Sequence, residues 1–213
     1  MDIKTIIFDA GGVLHADSHI DLPHQHELQQ LSGMRPDELH VYQNHDALNR
    51  GEVSLLQVFQ AISKHSFTNC TPEQLLNAYQ RGIILDKKSV ELARCLRHAG
   101  YKLVILSNNS DIGIQHTRAL LKDLDLFSSD GIYGSSEIKI SKPDPKIFTY
   151  LCEKEKVMPQ TCLFIDDRDE NLLAASQLGM QIIKFVSATQ CMEALLSKEI
   201  LNTPCREVGL IRA

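Results

Sequence analysis

The sequence IIFDAGGVL occupies residues 6–14 and combines three features in one short stretch. An apolar run rich in isoleucine leads into Asp9, and two glycines, Gly11 and Gly12, follow after one further residue. Such a run is typical of a buried strand, and the glycines indicate a tight turn at its end. The stretch therefore predicts a carboxylate at the carboxyl end of a strand in the protein core.

Similar apolar runs recur along the chain and alternate with helical patterns. The runs lie at residues 101–107, 130–135, 161–167 and 180–186. Helices are expected at residues 87–98, 111–122, 145–156, 170–178 and 189–197, with Asp86 and Asp111 as candidate caps of the first two. Strands that alternate with helices predict an α/β fold, a doubly wound, Rossmann-like parallel sheet whose two faces are both covered.

Residues 15–85 interrupt this alternation, because they show helical patterns and no convincing strand. We predict a core domain made of residues 1–14 and 86–213. A small all-helical domain of residues 15–85 would then be inserted after the first strand.

Composition excludes several classes of function. The chain has 213 residues, of which 43% are hydrophobic and 23% charged, and its net charge is −5. This balance gives no electrostatic footprint for nucleic acid or an anionic membrane, and no apolar run approaches the roughly 20 residues of a membrane helix. We expect a cytoplasmic protein whose six cysteines are reduced thiols. The oligomeric state is not predicted.

The expected strand ends carry a chemically coherent set of polar residues. The set comprises Asp9, Ser107, Asn108, Lys142, Asp166 and Asp167. In open parallel sheets, ligands bind beyond the carboxyl ends of the strands. Several carboxylates at one point repel each other unless a cation such as Mg²⁺ joins them, and a hydroxyl and a lysine suit a phosphate group. The sequence therefore predicts a site for Mg²⁺ and phosphate.

Four segments resemble the motifs of the haloacid dehalogenase superfamily, in the same order and at fitting spacing. They read FDAGGVL, LSNNS, SKPDPKIF and FIDDRDENLLAASQLGM, and the resemblance covers roughly residues 3–186. The helical region resembles the C1 cap of subfamily I. The first motif is similar to that of an FDLG-type branch that includes glucose-1-phosphate phosphatases.

The resemblance implies a role for each site residue. Asp9 would be the nucleophile that forms an aspartyl-phosphate, and Ser107, Asn108 and Lys142 would bind the phosphoryl group, with Ser107 and Lys142 also catalytic. Mg²⁺ would be held by Asp9, the backbone carbonyl of Gly11 and Asp167, with Asp166 and Asn171 supporting it, directly or through water. The substrate would be a small phosphorylated metabolite, with sugar phosphates as candidates.

Gly11 departs from the family pattern, in which phosphatases carry a second aspartate for acid–base catalysis. The resemblance thus leaves two alternatives open: a binding protein on an impaired enzyme fold, and a 2-haloacid dehalogenase. Dehalogenases of the family work without Mg²⁺ and lack the double aspartate of Asp166 and Asp167, which argues against the second alternative. His15 or Asp17, just past the first motif, is a candidate replacement for the missing group.

A cluster of histidines lies in the same region. Its members are His15, His19, His24 and His26. We expect exposed loop residues here rather than a zinc site, because the spacing matches no established zinc pattern.

Overall fold

The computed structural model describes residues 2–16, 23–42 and 45–203. Five parallel strands form one sheet in the order β3-β2-β1-β4-β5, with β1 at its centre. The strands are β1 (Thr5–Phe8), β2 (Lys102–Ser107), β3 (Ile132–Gly134), β4 (Cys162–Asp166) and β5 (Gln181–Lys184). The predicted doubly wound parallel sheet is confirmed, although each strand is shorter than the apolar run that predicts it.

Eleven α-helices lie within the described residues. They are α1 (Pro23–Ser32), α2 (Pro36–Tyr42), α3 (His45–Asn49), α4 (Leu55–His65), α5 (Pro72–Gly82), α6 (Lys87–His98), α7 (Asp111–Leu121), α8 (Ser135–Ile138), α9 (Pro145–Glu155), α10 (Asp169–Gln177) and α11 (Ala188–Ser197). None of these helices is long and apolar enough to cross a membrane.

The central strand β1 buries both of its faces. Ile6 and Phe8 pack with side chains of α6, α7 and α11, whereas Ile7 packs on the opposite side with side chains of α9 and α10. Successive side chains of a strand point to opposite faces, so a strand covered on both sides reads as a continuous apolar run. This arrangement carries Asp9 to the carboxyl edge at the centre of the sheet.

Helices α1–α5, here called the helical insert, have an apolar core of their own. Its buried residues include Leu28, Leu39, Phe59, Ile62 and Leu75. Two of the helices begin with reciprocal caps, in which Ser54 pairs with Gln57 and Thr71 pairs with Gln74. Within residues 15–85, the described part forms no strand beyond one isolated bridge between His15 and Leu85.

The caps of α6 and α7 differ in how well the sequence predicts them. Asp86 caps α6 as expected, because its carboxylate accepts a hydrogen bond from the Ser89 N–H at 2.7 Å. The expected cap of α7 is wrong by one residue. Ser110 is extended and accepts a hydrogen bond from Gly113, whereas Asp111 already belongs to the helix. The Asp111 carboxylate instead accepts a hydrogen bond from the Leu55 N–H at the start of α4.

The cysteines only partly follow the expectation of reduced thiols. Cys70, Cys152, Cys162 and Cys191 are free and buried, as small apolar side chains would be. Cys95 is disulfide-bonded, which contradicts the expectation for that residue.

Gly134 offers a test of the packing between β3 and α7. Its backbone is extended, but an added Cβ would lie 2.8 Å from Cγ1 and 3.0 Å from Cβ of Ile114. We expect Gly134→Ala to lower the free energy of unfolding by about 1–3 kcal/mol, since the core must shift. Urea denaturation measures this change. Ile114→Ala should then lower the free energy of unfolding less in the Gly134→Ala background than in the wild type. If the losses from the two substitutions were additive, the assigned contact between Gly134 and Ile114 would be contradicted.

Candidate functional site

A cavity of about 280 Å³ lies between the carboxyl edge of the sheet and the helical insert. Seven candidate residues named from the sequence line it: Asp9, Gly11, His15, Ser107, Asn108, Lys142 and Asn171. Asp9 directly follows β1, Ser107 ends β2, and Lys142 lies in the loop between α8 and α9. The parallel strand order thus brings residues from distant parts of the chain to one point.

Lys142 is the centre of this site. Its side chain is fully buried, and its Nζ lies 2.9 Å from Asp9 Oδ1 and 2.7 Å from Asp166 Oδ2. The Asn108 carboxamide forms hydrogen bonds with both backbone polar groups of Lys142. The Asn108 Oδ1 accepts from the Lys142 N–H, and the Asn108 Nδ2 donates to the Lys142 carbonyl, each at 2.8 Å. The Asn108 carboxamide therefore positions Lys142, and its predicted contact with phosphate stays a prediction.

Asp166 is fully buried and is surrounded by hydrogen-bond donors. Its Oδ1 accepts from the Arg168 N–H at 2.8 Å and from Asn171 Nδ2 at 3.0 Å. Its Oδ2 accepts from Lys142 Nζ at 2.7 Å and from Asn171 Nδ2 at 3.1 Å. An ionised carboxylate offers about four lone-pair sites, and these contacts engage both oxygens of Asp166. This geometry suits a residue that orients its neighbours.

The charged side chains of the site change one another's pKa values. Burial raises the pKa of the Asp9 carboxyl to about 7; Lys142 opposes the rise, and the negative charges of Asp166 and Asp167 add to it. For Lys142, burial alone would lower the pKa, but the carboxylates of Asp9 and Asp166 outweigh this effect and raise it. Lys142 therefore stays protonated, while Asp9 is poised to ionise near neutral pH.

Asp9, Asp166 and Asp167 form a group whose chemistry fits a divalent cation. Each offers one carboxylate oxygen, and these oxygens lie within 4.8 Å of one another. Oxygen donors alone suit a hard cation such as Mg²⁺ better than zinc, which prefers nitrogen or sulfur ligands. The structure brings together the three carboxylates that the sequence predicts.

His15 does not behave as the exposed loop residue that its spacing predicts. It is only 4% exposed, lines the cavity with Asp9, and has its Nε2 3.4 Å from the Thr117 hydroxyl. Packing of the chain after β1 against α7 explains this burial, which local spacing does not reveal. His26 is exposed in α1, as expected, and its ring bonds to Gln30. Asp17, His19 and the side chain of His24 lie outside the described residues.

The opposite wall of the cavity comes from the helical insert and was not predicted as part of the site. Its residues include Gln25, His45, Leu48, Asn49, Leu55, Phe59, Tyr79 and Ile83. Leu55 and Phe59 pack in the core of the insert, and they also line the cavity. Helical spacing indicates that these positions share a face, but it does not show what the face covers.

Arg168 also lines the cavity, and it follows the acidic pair directly. Its guanidinium makes an exposed ion pair with Glu170 at 2.8 Å. The sequence motif contains this arginine, but no spacing rule distinguishes it from an ordinary surface charge.

Comparison with known proteins places the chain in a family. A model of haloacid dehalogenase-like hydrolases matches residues 3–179, and the chain belongs to this family. The D-ribitol-5-phosphate phosphatase of Bacteroides thetaiotaomicron is 24% identical over 197 residues, which cover 84% of this chain and 90% of the relative. The superfamily expected from the four motifs is thus confirmed.

Two further relatives match over shorter segments. The (S)-2-haloacid dehalogenase 4A of Burkholderia cepacia is 29% identical over 113 residues, or 53% of this chain and 47% of the relative. The sesquiterpene phosphatase of Aspergillus oryzae is 28% identical over 109 residues, or 51% of this chain and 55% of the relative. The matches therefore span about half the length of these two relatives.

Solved structures share the fold. A haloacid dehalogenase family enzyme of Bacteroides thetaiotaomicron, solved as a magnesium complex, has a TM-score of 0.71 at 21% identity, covering 87% of this chain and 94% of that chain. A dehalogenase has a TM-score of 0.68 at 18% identity, covering 91% of this chain and 97% of that chain. At these identities the likeness concerns the fold alone.

The contact between Asn108 and Lys142 generates a prediction about stability. Asn108→Ala removes both hydrogen bonds to the Lys142 backbone and leaves its polar groups unpaired, so we expect a loss of about 1–3 kcal/mol in the free energy of unfolding. Asn109→Ala is the matched control, because Asn109 makes its hydrogen bonds with Ser135 through its backbone. Chemical denaturation measures the free energy of unfolding of both variants. An equal loss in the two would show that the hydrogen bonds between Asn108 and Lys142 do not add to stability.

Proposed function

We propose that this protein is a Mg²⁺-dependent phosphomonoester hydrolase that acts on a small phosphorylated metabolite, with sugar phosphates among the candidates. The observation that carries the proposal is the buried contact of Lys142 with Asp9 and Asp166 inside the three-carboxylate group. Such a site can accept a cation and a phosphate dianion together, since the cation and the lysine offset the carboxylate charges.

Each residue has a definite part in this proposal. Asp9 is the nucleophile: its Oδ1 accepts from the Ala10 N–H at 2.7 Å and from Lys142, so Oδ2 is the oxygen assigned to attack phosphorus. Lys142 and the Ser107 hydroxyl bind the phosphoryl oxygens, and Asn108 holds Lys142 in place.

The metal would be held by the carboxylates of Asp9 and Asp167 and by the Gly11 carbonyl, with Asp166 and Asn171 orienting this set. When bound, Mg²⁺ neutralises phosphate charge and aligns the ester with Asp9. Asp166 already accepts hydrogen bonds at both oxygens, so we assign it the orienting part.

The relatives support this choice of chemistry. The relative that matches over most of its length is a phosphatase of a phosphorylated polyol. The fold neighbour from Bacteroides thetaiotaomicron is also solved with magnesium and inorganic phosphate together. We further propose that residues 15–85 form a C1 cap over a core of residues 1–14 and 86–213, in subfamily I and the FDLG-type branch.

A second candidate function is 2-haloacid dehalogenation. It is favoured by the match to a (S)-2-haloacid dehalogenase and by the glycine at position 11. The acidic pair of Asp166 and Asp167 favours the phosphatase, because dehalogenases of the family lack this pair. A binding protein on an impaired fold is the third possibility; the preserved contacts among Asp9, Lys142 and Asp166 argue against it.

A substrate screen tests the proposal directly. We expect Mg²⁺-dependent phosphate release from at least one sugar or polyol phosphate, abolished by EDTA. Asp9→Asn should lower kcat/KM by at least about 10³-fold, since the nucleophile is lost. Phosphate release is measured colorimetrically, with halide release from 2-haloacids as the parallel assay. Halide release without Mg²⁺ and without phosphatase activity would establish the second candidate instead.

The raised pKa of Asp9 predicts how metal binding depends on pH. A proton and a cation compete for the Asp9 carboxylate, whose pKa is about 7, so Mg²⁺ affinity should rise as pH rises through 7. Between pH 6 and pH 8 we expect an increase of about tenfold, measured by calorimetric titration. In Asp9→Asn the dependence should flatten. An affinity that falls over this range would contradict the assignment of Asp9 as a ligand.

Gly11 predicts a gain of activity. Only Gly12 of the pair has a left-handed backbone, with φ 69°, so the backbone conformation at position 11 does not require glycine. Gly11→Asp should raise kcat on alkyl phosphates by about 10²–10⁴-fold, because it adds an acid for the poor leaving group. Aryl phosphates, whose leaving groups need little protonation, should change much less. Equal effects on both ester classes would indicate that position 11 does not act on the leaving group.

A further inference from the structure

The insert presents a mixed polar and apolar wall to the cavity. Two helices contribute residues at helical spacing, α3 with His45, Leu48 and Asn49 and α4 with Leu55 and Phe59, and α5 contributes Tyr79. Residues three or four apart share a helix face, so α3 and α4 each present one face to the cavity that Asp9 also lines. The alcohol part of a phosphate ester bound at Asp9 would meet this wall.

Gly113, near the start of α7, lies beside both the insert and the loop after β2. A Cβ on Gly113 would lie 2.0 Å from Asn109 Oδ1 and 2.7 Å from the Tyr79 hydroxyl oxygen. The space beside this glycine is therefore filled by the polar ends of two side chains that both line the cavity. Asn109 comes from the loop after β2, and Tyr79 comes from the insert.

Asn109 is held in place without using its carboxamide. Its N–H donates to the Ser135 hydroxyl at 3.0 Å, and its carbonyl accepts from the same hydroxyl at 3.5 Å. Its neighbour Asn108 uses its carboxamide on Lys142 instead. A carboxamide and a phenol together offer hydrogen-bond donors and acceptors, which is what an alcohol hydroxyl requires.

We propose that Asn109 and Tyr79, seated over Gly113, form a subsite that binds a hydroxyl group on the alcohol part of the substrate. The inference rests on the proposed function and narrows its substrate class to phosphate monoesters of small polyhydroxy alcohols. The cavity of about 280 Å³ is small for a ligand site, which agrees with a short substrate. The apolar groups of Leu48, Leu55 and Phe59 would contact its carbon chain.

The test compares phosphate esters that differ only in hydroxyl groups. Glycerol 3-phosphate is paired with propyl phosphate, and ribitol 5-phosphate with pentyl phosphate. Dissociation constants are measured calorimetrically with Mg²⁺ on Asp9→Asn, so that binding is separate from turnover. In at least one pair the hydroxylated ester should bind about tenfold more tightly. Tyr79→Phe in this background should reduce that preference by about threefold to tenfold, the effect of one lost hydrogen bond.

Two further variants distinguish loss of a hydroxyl subsite from a general change in the structure of the insert. Tyr42→Phe is the matched control, because Tyr42 belongs to the insert and stacks on His65 but does not line the cavity. It should leave the preference unchanged. Gly113→Ala should reduce the preference without lowering stability, because alanine ordinarily favours a helix but its methyl group would displace Asn109 and Tyr79.

The outcomes distinguish this inference from the proposed function. Equal binding within both pairs, an equal effect of Tyr79→Phe on both members of a pair, or an unchanged preference in Gly113→Ala would each overturn the subsite. If wild type hydrolysed these esters while showing no preference, the subsite would be wrong and the proposed function would stand. If the preference held but wild type hydrolysed no phosphate ester, the subsite would stand and the hydrolysis would be wrong.

Discussion

The ammonium group of Lys142 is buried between the carboxylates of Asp9 and Asp166, and the site is organised around this contact. A buried charge is costly unless it is paired and hydrogen-bonded, and removing one partner of such a pair commonly costs several kcal/mol. The loop that carries Lys142 is therefore held against the ends of β1 and β4. Asn108 adds the end of β2, because its carboxamide bonds to the Lys142 backbone. Lys142 and Asn108 therefore join the ends of β1, β2 and β4 to the loop between α8 and α9.

The helical insert is tied to the same segments. The Leu55 N–H donates a hydrogen bond to Asp111, which lies four residues after Ser107. Lys139, three residues before Lys142, donates from its Nζ to the Gly51 carbonyl at 2.7 Å. Gly51 allows this approach, since a Cβ there would lie 2.4 Å from the Ser136 carbonyl oxygen. The insert is thus tied to residues that follow Ser107 and precede Lys142 by a few positions in the chain.

The relatives include enzymes named for two different reactions, dehalogenation and phosphate ester hydrolysis. A carboxylate nucleophile can serve either, so the surrounding charges decide between them. Three carboxylates whose oxygens lie within 4.8 Å of one another could hold a cation, and a cation with a buried lysine would suit a phosphate dianion. Under the proposed function, the glycine at position 11 leaves this charge arrangement intact and lacks only a side chain, so its effect would fall on the leaving group rather than on the binding of phosphate.

The sequence by itself determined the parallel sheet, the position of Asp9 at the end of the first strand, and the convergence of the acidic pair with Lys142. These features depend on local apolar runs and on the rule that parallel strands share a carboxyl edge. Only the tertiary structure decided that Asn108 bonds to the Lys142 backbone, that Asp111 binds the insert rather than capping its own helix, that His15 is buried, and that Tyr79 and Asn109 both lie beside Gly113. These contacts join side chains that are far apart in the chain, 34 residues for Asn108 and Lys142 and 56 for Leu55 and Asp111. Local periodicity shows which face of an element is buried, but the partner of that face depends on how distant elements pack.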